Sequence, residues 1–119
     1  MTGYIYCGYY DSKRIHGYFK IGTTSQTVGR RASQIRHTSG NSSFTISRYI
    51  KIENIDKSDL LFIEGYVRNQ LKKVDGITYD NSSNDHFCFR AENHADMQKK
   101  AEVFSEYVVQ FTNEAIKLL

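Results

Sequence analysis

The sequence predicts a small α+β domain: a three- to four-stranded, largely antiparallel sheet with helices packed against it. Three observations carry this. Two short aromatic runs, GYIYCGYY from Gly3 and YFKI from Tyr18, flank a short polar stretch, the pattern of an antiparallel hairpin. Phe44 to Ile52 (FTISRYIKI) alternates apolar and polar residues apart from Tyr49, the period of a half-buried strand. Three further stretches repeat apolar residues at helical spacing. A chain of 119 residues suffices for one hydrophobic core, so 1–119 is expected as a single domain, with its body over about 3–90 and a C-terminal helix over about 91–119.

In the first strand Tyr4, Tyr6 and Tyr10 share one face by period 2, with Ile5 and Cys7 on the other. Asp11 to Gly17 is a polar hairpin loop, and Tyr18 to Ile21 returns beside the first strand, which brings Tyr6 and Lys20 near each other on one face. A tight turn is expected at Gly22, because glycine alone takes positive φ cheaply. A helix follows over about 26–37, with Ser25 or Thr27 as N-cap. Val28, Ala32 and Ile35 form its apolar stripe. Arg30 and Arg31 leave its first turns, where the helix dipole opposes a cation, so an anion is expected nearby. After a loop, TSGNSS, comes the Phe44–Ile52 strand.

A second helix starts near Asp56 to Ser58 and runs to about Val74, with Leu60, Ile63, Val67, Leu71 and Val74 as its buried stripe. Glu64 points with that stripe. A carboxylate there needs a salt-bridge partner or a functional role lining a cleft. Gly65 beside it weakens the helix, and suggests close approach of another element. Asp75 to Asp85 reads as a loop and His86 to Phe89 as a last short strand. In the third helix Met97, Ala101, Phe104, Val108, Phe111, Ala115 and Leu118 step by four and three. Such a seam either packs on the domain's own sheet or joins two copies.

The charge is polarised. Residues 1–51 hold eight Lys/Arg against Asp11 alone, a net of +7, and residues 52–119 hold eight against twelve acids, a net of −4. A basic half points to a polyanion, most simply nucleic acid. Cys7 and Cys88 are too few for a disulfide scaffold and lack zinc-ligand spacing. No apolar run approaches the ~20 residues of a membrane span, and nothing resembles a signal peptide. The expected protein is soluble and intracellular, with no membrane partner.

Tyr4-Ile5-Tyr6, then Lys20-Ile21-Gly22, then Arg31 nine residues on, Glu64 in a helix and the aromatic strand HFCF resemble the GIY-YIG nuclease superfamily. Tyr4-Ile5-Tyr6 stands where the family has GIY, and Lys20-Ile21-Gly22 where it has YIG. Branches in phages and large DNA viruses look like this version with lysine in the second motif. The resemblance implies the GIY-YIG endonuclease fold and Mg²⁺-dependent hydrolysis of DNA, with Mn²⁺ as a possible substitute and a host cell's cytoplasm or nucleus as the setting. It implies that Glu64 holds the metal and that Tyr6 is the base or orients the attacking water. A phenol of pKa ~10 needs neighbouring cations for the first role, which Lys20 and Arg31 would supply. Arg31 would grip the scissile phosphate. Arg30 is its rival, since family loops are often one residue shorter, but Val28 on the core face favours Arg31.

Arg30, Arg36, His37 and His86 are further candidates for substrate contact. The family's late Asn has no sure match, His86 and Asn84 being nearest. The histidine some members carry one turn after the arginine is replaced here by Ile35. These departures support a second reading, a DNA-binding module on the same fold that no longer cuts, and the third-helix seam supports another, an interaction protein acting through that helix. The chain is accordingly expected as a monomer or as a homodimer through that helix.

Overall fold

A computed structural model describes residues 1–10, 17–39, 43–80 and 86–119. The chain runs β1 (Gly3–Tyr10), β2 (Tyr18–Thr24), α1 (Val28–Ser39), β3 (Phe44–Ile52), α2 (Lys57–Leu71), β4 (Ile77–Asp80), β5 (His86–Phe89) and α3 (His94–Lys117). The strands form one antiparallel sheet in the order β3-β1-β2-β5-β4. The α+β, antiparallel expectation holds, with five strands rather than three or four. The extra one is β4, which lay within the stretch expected to be a loop. Ile77 is buried and Tyr79 half-buried, so this piece has enough apolar surface to pair with β5. Of the hairpin loop expected at Asp11 to Gly17, residues 11–16 lie outside the described residues, as do positions 81–85, Asn84 among them.

The sheet separates two cores. On one face Ile5, Cys7, Tyr9, Phe19, Ile21 and Phe87 meet the stripes of α2 and α3. On the other, Tyr6, Tyr10 and Phe44 meet Ala32 and Ile35 of α1, with Val28 packed alongside. The period-2 reading of β1 is what places its residues on these two sides. Across the β1–β3 pair the register shifts between Cys7 and Gly8, where Ser47 is the extra residue.

Each helix start has a side-chain cap. Asp56 accepts from the Asp59 amide and Asn93 from the Asp96 amide, both at 2.8 Å. For α1 the Arg30 amide donates to Thr27 Oγ1, which selects Thr27 over Ser25. The apolar seam of α3 is consumed inside the domain: Met97, Ala101, Phe104, Val108, Phe111 and Ala115 are all buried against the sheet and α2, and only Leu118 at its end is exposed. Six of the seven seam residues are therefore spent on the domain's own packing. Gly65 also departs from expectation. A Cβ added there would meet nothing within 4 Å, so no described element approaches it closely.

Candidate active site

Gly22 was expected to make a turn, yet it lies inside β2, paired with Tyr6 of β1. The reason for glycine is lateral rather than conformational. A Cβ there would stand 2.5 Å from Cζ of Tyr6 and closer still to the hydroxyl, so the Tyr6 ring lies across the bare strand. With the turn displaced, β2 continues to Thr24. Gly22→Ala is expected to cost about 1–3 kcal/mol by overpacking, and to displace the Tyr6 hydroxyl from its partner. Urea melts measure the first effect, and crystals or NMR shifts of the Tyr6 ring the second.

That partner is Arg31. Its Nε donates to the Tyr6 hydroxyl at 3.2 Å, and its Nη1 donates to Gln34 Oε1 at 3.4 Å. Both arginines sit in the first turn of α1, which has no acidic residue. Arg31 points toward the sheet while Arg30 is exposed. Tyr6 is 1% exposed. Burial pushes its phenol above the usual value of 10, against the pull of the Arg31 guanidinium, and the Glu64 carboxylate pushes the same way as burial. Cations were expected to favour phenolate, but here desolvation outweighs the one that makes contact. Tyr6 is thus a neutral phenol at ordinary pH. Having accepted from Arg31, it keeps its own proton to donate.

Lys20 pairs with Gly8, two pairs along from Tyr6–Gly22 and so on the same side of the sheet, and is half-buried. His86 opens β5 and packs against the rings of Tyr10 and Tyr18, with centroids 5.3 and 6.3 Å away. Arg36 is half-buried near the end of α1, and His37 is exposed.

Glu64 stands on the α2 side. Its carboxylate receives Arg68 Nη2 at 3.0 Å on Oε1 and Thr23 Oγ1 at 3.2 Å on Oε2, and its side chain is 16% exposed. Thr23 connects the two sides: its neighbour Gly22 touches Tyr6, and it lines a cleft of about 340 Å³ with Thr24, Arg31, Gln34 and Lys57. Sequence reasoning missed Arg68 and Thr23. The Arg68 contact was readable as a Glu-to-Arg (i, i+4) pair on a helix, whereas the Thr23 contact depends on how α2 docks.

Among the described residues no three His, Cys, Asp or Glu side chains gather into a metal cluster. A lone carboxylate still fits Mg²⁺, which takes one or two carboxylates and completes its shell with water and substrate phosphate. Glu64 is the residue that would hold it, and its carboxylate is held by Arg68 and Thr23. No helix among the described residues is long and apolar enough to cross a membrane.

These features define a small α+β domain with a tyrosine–arginine pair beside a cleft of mixed polar and apolar lining, and a carboxylate bonded to Thr23 of its wall. The chain belongs to the T5orf172 domain family, whose model matches residues 3–100. This is a phage-associated family related to endonucleases of the GIY-YIG and HNH kinds. Neither the curated proteins nor the solved structures gave a match.

Proposed function

We propose that this protein is a Mg²⁺-dependent DNA endonuclease of the GIY-YIG type, with Tyr6, Lys20, Arg31 and Glu64 as its catalytic residues. The observation that carries the reading is the contact between the Tyr6 hydroxyl and Nε of Arg31, which itself lines the cleft. It couples a cation suited to a phosphate with a phenol suited to orient a water. The family's relation to endonucleases and the basic first half of the chain support the same conclusion.

In this reading Arg31 turns its remaining N–H groups to the scissile phosphate and offsets charge as it grows on the non-bridging oxygens. The Tyr6 hydroxyl keeps its proton and donates a hydrogen bond to the attacking water or to a phosphate oxygen, and so fixes the direction of attack. Of the two roles open to it, water orientation is the one a raised pKa allows. Lys20 adds positive potential on the same side of the sheet. A bound Mg²⁺ held by Glu64 would supply Lewis-acid activation of water and stabilise the leaving oxygen. Thr23 and Arg68 position the Glu64 carboxylate.

The test is supercoiled plasmid with purified protein in Mg²⁺ or in EDTA, run beside Glu64→Ala. Metal-dependent nicking that Glu64→Ala reduces by at least about 10³-fold is expected, since removing an essential catalytic group commonly costs that much or more. A binding-only module is the second reading, favoured by one observation: both Glu64 oxygens are already engaged by Arg68 and Thr23. DNA binding without cleavage by the wild type in Mg²⁺ and Mn²⁺ would establish it.

A further inference from the structure

On the opposite flank of α1 from the Arg31 cleft, a groove of about 390 Å³ runs between α1 and β3. Val28, Ala32 and Ile46 give it an apolar lining, Arg36 and Tyr49 give it polar and aromatic groups, and none of the described residues that line it is acidic. Tyr49 is 52% exposed, the most open ring among the buried and surface aromatics of the sheet's own strands that the groove touches. It pairs across β1 with Tyr6 and so lies on the α1 side. The ring of Tyr4 meets it edge-on at 6.0 Å and 65°, which steadies it while leaving it open to solvent.

Two further features of the groove lack an internal explanation. Arg36 Nε is shielded from solvent and has no hydrogen-bond partner among the described residues, an arrangement that disfavours a charged donor unless a ligand accepts from it. Gly29, in the first turn of α1, weakens the helix although a Cβ there would touch nothing. Packing does not ask for glycine at this position, while a ligand approaching the helix backbone at its positive end would.

We propose that the groove binds an unpaired nucleotide of a nucleic-acid strand, with its base stacked on Tyr49 and an adjoining phosphate at Arg36. This rests on the nuclease reading above and specifies its substrate class: DNA with a single-stranded segment, rather than fully paired duplex. A base offers its face to a tyrosine only when it has left the duplex stack, and such stacking tolerates any base. Arg31 and Arg36 are five residues apart, about 7.5 Å along the helix axis. A short strand crossing the exposed face of α1, past Arg30, therefore reaches both.

The test is fluorescence anisotropy in EDTA with three labelled DNAs: a 15-mer of thymidine, a blunt duplex, and the same duplex with an unpaired tail. Tyr49→Ala is expected to weaken the single strand and the tailed duplex by about 5- to 100-fold, and to leave the blunt duplex within about twofold. Tyr49→Phe keeps the ring and is expected to bind as the wild type does. Arg36→Gln is expected to lower the salt slope on the tailed DNA by about one. Because Tyr49 is exposed, thermal melts of the variants should superimpose. Equal losses on blunt and tailed DNA, no loss on any DNA, or a loss for Tyr49→Phe matching that for Tyr49→Ala would overturn the proposal. So would a Tyr49-dependent dimer with unchanged DNA binding, which would assign the groove to a second copy. A wild type that nicks plasmid while Tyr49→Ala binds every DNA normally removes this inference alone. A wild type that neither binds nor cuts DNA removes both.

Discussion

Arg31→Gln is expected to lower single-turnover nicking by about 10²- to 10³-fold, the usual loss when one donor to a developing anionic oxygen is removed. The substitution acts twice. It takes a charge from the cleft, and it takes the Nε donor from the Tyr6 hydroxyl. Arg31→Lys separates the two effects, because lysine restores the charge without the planar fork that serves a phosphate and a phenol together. Its rate should fall between those of the wild type and Arg31→Gln. Arg30→Gln, on the exposed side of the same turn, should change nicking only a few-fold and act through DNA affinity and its salt dependence. If Arg30→Gln proves the slower enzyme, the phosphate lies on the outer face of α1 and the assignment of Arg31 is wrong.

Phe104→Ala is expected to destabilise the protein by about 3–5 kcal/mol, the range for truncating a buried phenylalanine. Phe104 is 1% exposed, stacks on Phe19 with centroids 4.8 Å apart and meets Phe87 at 5.8 Å. Those rings belong to β2 and β5, so the loss falls on the strand that carries Lys20 and Gly22. Urea unfolding followed by far-UV circular dichroism gives the value. Phe104→Glu places a carboxylate in the same site without a cationic partner, and is expected to leave no folded protein at 25 °C. Sedimentation distinguishes this from the dimer-seam reading, which requires a folded monomer from either variant. An unfolded or strongly destabilised chain agrees with the packing found in the fold.

The parts of the architecture legible in the sequence are those whose periodicity reports burial directly. The alternation of Ile5 and Cys7 against Tyr6 and Tyr10 put them on opposite faces of β1, though only one core was expected, and the four–three stepping of α3 identified the residues it buries. The sequence did not reveal whether that seam met its own sheet or another copy, because both partners demand the same stripe. β4 escaped notice because four residues between Gly76 and a Ser/Asn-rich stretch give too short a pattern. Gly22 was misread for a general reason: a glycine required by a neighbouring ring looks the same in sequence as one required by a turn. The nearness of Arg31 to Tyr6 was implied by the family resemblance, and helix phase served to prefer Arg31 over Arg30. The direction in which the Tyr6 phenol shifts was not readable, since it depends on how deeply α1 covers the ring.

The split of the candidate machinery between two cores sets a lower bound on how small this fold can become. The first forty residues carry Tyr6, Lys20 and Arg31, and as a β-hairpin with one helix they would form a recognisable miniature. Glu64, however, arrives only with α2 on the reverse of the sheet, joined to the front by Thr23. The stripe of α2 is itself buried partly by α3, with Tyr66 of one helix bonded to Glu114 of the other at 3.1 Å. Bringing one carboxylate to the back of the cleft thus commits the chain to a second layer and to the helix that seals it. Miniaturisation would fail at the acid first, well before it reached the tyrosine or the arginine.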